Sequence, residues 1–162
     1  MPGLLPTLFE TDCAPPVVEV SCRQRAVPCD LNRIVRLVNA ALPLCLVAAR
    51  SLGGPLAGLA SVEGSIVGPR AMARVHRDHL GIPGATDVIT FPYGEILVCA
   101  SVAAARASDF GNPVTDEIAL YFIHGLLHLA GHDDILPADA ARMASAQQEI
   151  LDSARRMVDP AS

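Results

Sequence analysis

The segment from Thr115 to Asp134 constrains this chain more than any other, because it dictates a helix, the end of that helix and a cluster of polar side chains at that end. Thr115, Asp116 and Glu117 make a favourable start, acids being stabilised by the positive pole of a helix. From Ile118 to Ala130 only Gly125 interrupts a run without helix breakers. His124 and His128 are four positions apart, so their imidazoles share one helical face with Cβ atoms about 5 to 6 Å apart, and both rings can reach one metal ion. Gly131 takes the left-handed conformation at little cost, so the helix is expected to stop there and the chain to turn. That turn brings His132, Asp133 and Asp134 back toward the ring pair, with a third ligand six residues past the second His within reach. This is the layout of zinc sites whose helix is broken by a glycine. The position that holds the general-base glutamate in HExxH peptidases is Gly125, which disfavours a peptidase of that type.

The rest of the chain alternates strands and helices. Residues 1–16 are Pro-rich and expected to be irregular, and Val17–Cys22 has the β-branched content of a first strand. Asp30 is placed to cap a helix beginning at Leu31, whose apolar stripe runs through Ile34, Leu37, Val38, Ala41 and Leu42. Pro43 is expected to kink or end it, with Leu44 to Leu52 continuing it or forming another. A strand is predicted over Ala60–Val67 and a short helix from Pro69 to about His79. Two further strands, Asp87–Phe91 and Ile96–Ala100, flank the turn formers Pro92, Tyr93 and Gly94. Helices follow over Ser101–Ser108, Thr115–Ala130 and Ala138–Met157. The pattern predicts an α/β or α+β fold: a small mixed sheet of about four strands packed with about five helices, the metal site at a helix end.

At 162 residues the chain fits one domain spanning residues 1–162. Its longest apolar stretch, Val38 to Ala49, is cut by Pro43 and falls short of the roughly 20 residues that span a bilayer. The opening MPGLLPTLFETD lacks a basic n-region, so a cytoplasmic location is expected. The five cysteines are scattered and odd in number, which suggests reduced thiols rather than a disulfide framework. A formal charge of −5 argues against a generally basic binder, yet eight of twelve arginines precede Gly81 and eleven of seventeen acids follow Leu80.

HGLLHLAGHDD, His124 to Asp134, resembles the HGxLHLxGYDH signature of the YbeY family, bacterial metal-dependent endoribonucleases implicated in maturation of ribosomal RNA. TDVITF at Thr86–Phe91 is similar to that family's TDVLSF strand, GEI at Gly94–Ile96 to its GDI segment, and SIVGPRAMARVHRDHLG sits where members carry a strand and short helix. The resemblance spans about Ser61 to Asp134. It implies one Zn²⁺ per chain held by His124, His128 and the residue at 134, where the family has His and this chain has Asp134. Carboxylate oxygen is an acceptable zinc ligand, and His132, at the family's Tyr position, is the alternative. Leu80 stands where many members place an arginine, leaving Arg77 and Arg74 as the nearest candidates to hold phosphate. The implied activity is RNA phosphodiester hydrolysis by zinc-activated water in rRNA maturation and ribosome biogenesis, with RNA as partner and neither membrane nor DNA expected. Two rivals are a non-catalytic ribosome-assembly module with a structural metal, and a metal-dependent hydrolase of another substrate such as a peptide. No residue presents itself as general base, Asp87 is expected to organise a turn, and no aromatic-rich surface is evident beyond Phe91 and Tyr93.

Overall fold

A computed structural model describes residues 14–160. Most of the stretch expected to be irregular therefore lies outside the described residues, while 14–16 carry no regular structure. Ten elements follow in order: β1 (Val17–Cys22), α1 (Leu31–Leu52), a 3₁₀ turn (Pro55–Gly58), β2 (Ser61–Val67), α2 (Pro69–Leu80), β3 (Val88–Phe91), β4 (Glu95–Cys99), α3 (Ala100–Phe110), α4 (Val114–Ala130) and α5 (Pro137–Val158). The sheet order is β1-β2-β4-β3, with β1, β2 and β4 parallel and the edge strand β3 antiparallel to β4. The mixed four-stranded sheet and five α-helices agree with the fold class read from sequence.

Alternation along the strands divides the interior. Val62, Ile66, Ile96 and Val98 face a large core shared with α1, α4 and α5. Val67, Ile89, Leu97 and Cys99 face a smaller core closed by Met72 and Val75 of α2. Burial of these aliphatic side chains at roughly 25 cal/mol per Å² is the main stabilising term. β3 begins one residue later than expected and β4 one residue earlier. Gly94, at φ 107°, closes the turn with its N–H donating to Phe91 O, and its carbonyl accepts from Glu63 N. Glu95 thereby pairs with both Glu63 and Phe91, and Ala100 is released to start α3.

Pro43 does not break α1, which runs unbroken for 22 residues. Its ring points to solvent while Leu42 and Cys45 stay buried, so the missing amide is lost on the exposed side and the buried stripe persists. Asp30 caps this helix as expected, its carboxylate accepting from Arg33 N at 3.0 Å. Among the described residues α1 is the one helix long and apolar enough by composition to cross a membrane, a length the Pro43 interruption had masked; here it packs against α4, α5 and β1. The start of α4 differs from expectation too. Thr115 Oγ1 accepts from Asp30 N, and buried Asp116 is gripped by Arg33 and Arg155 at 2.9 Å each, so these groups join α1, α4 and α5 instead of only capping a helix.

Candidate metal centre and its cleft

The site is built where α4 ends. Gly131 N–H donates to His128 O and His132 N–H to Leu127 O, both at 3.0 Å, a Schellman turn that reverses the chain. A side chain at Gly131, whose φ is 116°, would meet Leu52 Cβ at 2.8 Å. Gly54 seats the same corner, its N–H donating to Ala130 O at 3.0 Å where any Cβ would clash with Ala130. The reversal carries Asp134 back over the rings. Asp134 Oδ2 lies 3.5 Å from Nε2 of both His124 and His128, and the two Nε2 atoms are 3.1 Å apart.

Those distances fit a cation. Ligand bonds of about 2.0 to 2.1 Å around a tetrahedral zinc place donor atoms about 3.3 to 3.4 Å from one another. The protonation pattern points the same way. His124 Nδ1 donates to Gln147 Oε1 at 2.7 Å, and His128 Nδ1 donates to the carbonyl of His132 at 3.1 Å. Each ring's proton is thus held on Nδ1, and its Nε2 presents a lone pair to the other. Two lone pairs face to face at 3.1 Å repel unless positive charge lies between them, so this contact is not a hydrogen bond. Burial pushes the His124 imidazole down from its ordinary range, and the Gln147 hydrogen bond offsets this only in part, so the neutral ligand form is favoured.

The structure therefore brings together His124, His128 and Asp134. His132 goes elsewhere: its side chain lines a shallow surface depression with Arg142 and Glu149, while its carbonyl orients His128. Gly125 has a steric reason. A Cβ there would stand 2.8 Å from Ile96 Cγ2 and 3.0 Å from Thr90 Oγ1, leaving no room for a glutamate side chain where α4 crosses the sheet.

The three groups open into a cleft of about 710 Å³ between the end of α4, strand β3 and helix α2. Leu80 lines it, whereas Arg74 and Arg77 do not: both are exposed on α2, Arg77 in an ion pair with Asp78 at 3.1 Å. Asp87 also lines it and organises the start of β3, its Oδ1 accepting from Val88 N at 2.8 Å and its Oδ2 lying 3.7 Å from Arg106. Phe91 forms part of the wall, stacked on Tyr93 with centroids 5.4 Å apart and touched edge-on by His79. His79 sits in the last turn of α2, where the predicted helix was expected to end.

Sequence reasoning missed His76. It lines the cleft from α2, and its Nδ1 donates to Gly84 O at 2.8 Å, leaving Nε2 free. A lone histidine at the eighth position of an amphipathic helix carries no signal by itself; only the fold of the 81–84 loop places it.

A family model described as endoribonuclease YbeY matches residues 19–155. The endoribonuclease YbeY of Thermobifida fusca is 32% identical over 153 residues, covering 84% of this chain and 93% of that protein. The one from Renibacterium salmoninarum is 37% identical over 100 residues, a shorter match covering 51% of this chain and 64% of the relative. The solution structure of TM1509 from Thermotoga maritima superposes with a TM-score of 0.60 at 20% identity, covering 89% of this chain and 93% of that one, a likeness of fold. With the match running through every strand and through the helix that carries the paired histidines, this chain belongs to the endoribonuclease YbeY family.

Proposed function

We propose that this protein is a cytoplasmic zinc-dependent endoribonuclease that cuts RNA phosphodiesters during rRNA maturation and ribosome biogenesis. The observation that carries the reading is the pair of opposed Nε2 lone pairs closed by Asp134 at the floor of an open cleft, in a chain of an endoribonuclease family. His124, His128 and Asp134 would hold one Zn²⁺, leaving a fourth position toward the cleft. When bound, zinc supplies Lewis-acid polarisation of a phosphoryl oxygen and lowers the pKa of coordinated water.

The protein's own groups do the rest. Gln147 and the His132 carbonyl fix the two rings, so the ligands are preorganised. Asp134 adds a negative charge that a third imidazole would not, which makes a coordinated water less acidic. Arg70, Arg74 and Arg77 stand on an exposed face of α2 at helical spacing, outside the cleft lining. They would bind phosphates of a strand running along that helix, away from the cut itself, and confer salt dependence.

A second reading, an rRNA-binding assembly module with a structural metal, is favoured by one observation: no arginine or lysine lines the cleft among the described residues. A peptidase is opposed by the packing around Gly125. The test is incubation of zinc-loaded protein with an rRNA fragment and with a peptide library. Endonucleolytic products that vanish on chelation and in His128→Ala support the proposal. Tight RNA binding with bound zinc and no cleavage establishes the assembly module instead.

A further inference from the structure

We propose that His76 is the general acid of this site, protonating the ribose oxygen that leaves when the RNA strand is cut. The proposal rests on the hydrolase reading above and adds the group that reading lacks. Cleavage needs two proton movements: one off the attacking water and one onto the leaving alkoxide, a poor leaving group unless protonated. The three-ligand cluster serves the nucleophile. Nothing in it serves the other side, because both of its imidazoles keep their protons on Nδ1, pointed away from the cleft toward Gln147 and the His132 carbonyl.

Elimination among the cleft-lining groups leaves one donor. The titratable side chains there are His76, Asp87, His124, His128 and Asp134. Asp87 has its oxygens engaged as acceptors, from the Val88 amide and Thr86 Oγ1, and in an ion pair with Arg106. His124, His128 and Asp134 form the ligand cluster. His76 alone comes from the opposite wall, α2, and is committed to neither a ligand set nor an ion pair.

Its geometry suits proton transfer. Nδ1–H is held by the Gly84 carbonyl at 2.8 Å, and the loop that presents this carbonyl is itself tied to α2, Ile82 N–H donating to the His76 carbonyl at 3.3 Å. That brace is compatible with neutral and protonated imidazole alike, so the proton that comes and goes is the one on Nε2. It also holds the ring in one orientation. With Leu80 apolar on the same wall, His76 is the one titratable group that α2 contributes to the cleft. In the step itself, a water oxygen forms a bond to phosphorus as the bond from phosphorus to the ribose oxygen breaks. The electron pair stays on that oxygen, which takes the Nε2 proton; His76 becomes neutral and the proton released by the water goes to solvent. A fresh proton from solvent resets the imidazole.

The test compares zinc-loaded wild type with His76→Asn on two substrates: an RNA oligonucleotide, and uridine 3′-(p-nitrophenyl phosphate), whose aryloxide leaves without protonation. Asn is chosen because its amide N–H can still donate to Gly84, preserving the loop; His76→Ala serves as a second variant. The expected result is a loss of about 10²- to 10⁴-fold in kcat on RNA with a change of only a few-fold on the aryl ester, zinc content being equal. Equal losses on both substrates, or no loss on RNA, would overturn the assignment. Wild type that is inert on both while holding zinc would instead bring down the hydrolase reading, and this assignment with it.

Discussion

At the scale of single residues, substitutions at four positions in and beside α4 separate their roles: Asp134, His132, Gln147 and Gly125. Asp134→Ala removes one of three donors and should weaken zinc binding strongly, whereas His132→Ala keeps the carbonyl that orients His128 and should change it little. Calorimetric titration giving the reverse order would make the His132 ring the ligand. Gln147 lies outside the candidate ligand set, yet it holds the His124 tautomer through the 2.7 Å bond to Nδ1. Gln147→Ala should cost about 10- to 100-fold in zinc affinity, and an unchanged isotherm would show that the ring needs no such support. Gly125 is a test of packing. Gly→Ala inside a helix gains up to about 1 kcal/mol from propensity, but crowding buried Ile96 costs about 1 to 3 kcal/mol. Gly125→Ala should therefore lower the urea midpoint, and Gly125→Glu should lower it further while creating no peptidase.

At the scale of elements, α1 shows how tertiary packing overrides local preference. A helix-interior proline costs about 3 kcal/mol relative to alanine, and α1 accepts it because seven buried residues of that helix stay on one continuous stripe. Pro43 is exposed and makes no hydrogen bond through its nitrogen, so Pro43→Ala should restore an amide without disturbing the core. The expected outcome is stabilisation of about 1 to 3 kcal/mol in chemical denaturation. A loss would mean that the local geometry imposed by Pro43 is needed to seat α1 against α4. Helix α4 carries the complementary lesson. Its capping acids were legible as favourable dipole partners, but Asp116 is buried because two arginines from other helices reach it, an arrangement with no local signature.

At the scale of the whole molecule, the Arg33–Asp116–Arg155 cluster joins the first, fourth and last α-helices, and Arg33 extends it to Asp159 at 2.9 Å. Burial pushes the Asp116 carboxyl up, but hydrogen bonds and charge from Arg33 and Arg155 outweigh it and hold the group below its ordinary 3.8. A carboxyl depressed in the folded state contributes stability that is fully present above the unfolded value and is lost as pH falls through the lower, folded one. Asp116→Asn should thus be less stable at neutral pH by about 3 kcal/mol and should show a flatter dependence of stability on pH below 3.8. An unaltered acid limb in thermal unfolding across pH 2 to 5 would assign acid sensitivity to other carboxylates. The same cluster explains why the residues flanking the site hold their places: α4 and α5, which supply His124 and Gln147, are locked to α1 far from the cleft.

Much of this protein is written in local pattern. The period of the apolar residues and the positions of Gly131, Gly94 and Asp30 decide where strands, turns and helices fall, because each rests on backbone geometry within a few residues. The pairing of His124 with His128 is likewise local, a consequence of 3.6 residues per turn. The third donor was only narrowed by sequence: Asp134 and His132 both lie past the glycine, and the Schellman turn, seated against Leu52 and Gly54 from the distant end of α1, turns one carboxylate onto the rings and sends the other side chain away. His76 was invisible for the same reason. Its wall shares a cleft with His124, His128 and Asp134 only because β2, α2 and β4 form a crossover that lays α2 there, a juxtaposition of His76 with a residue 48 positions away that no local rule encodes.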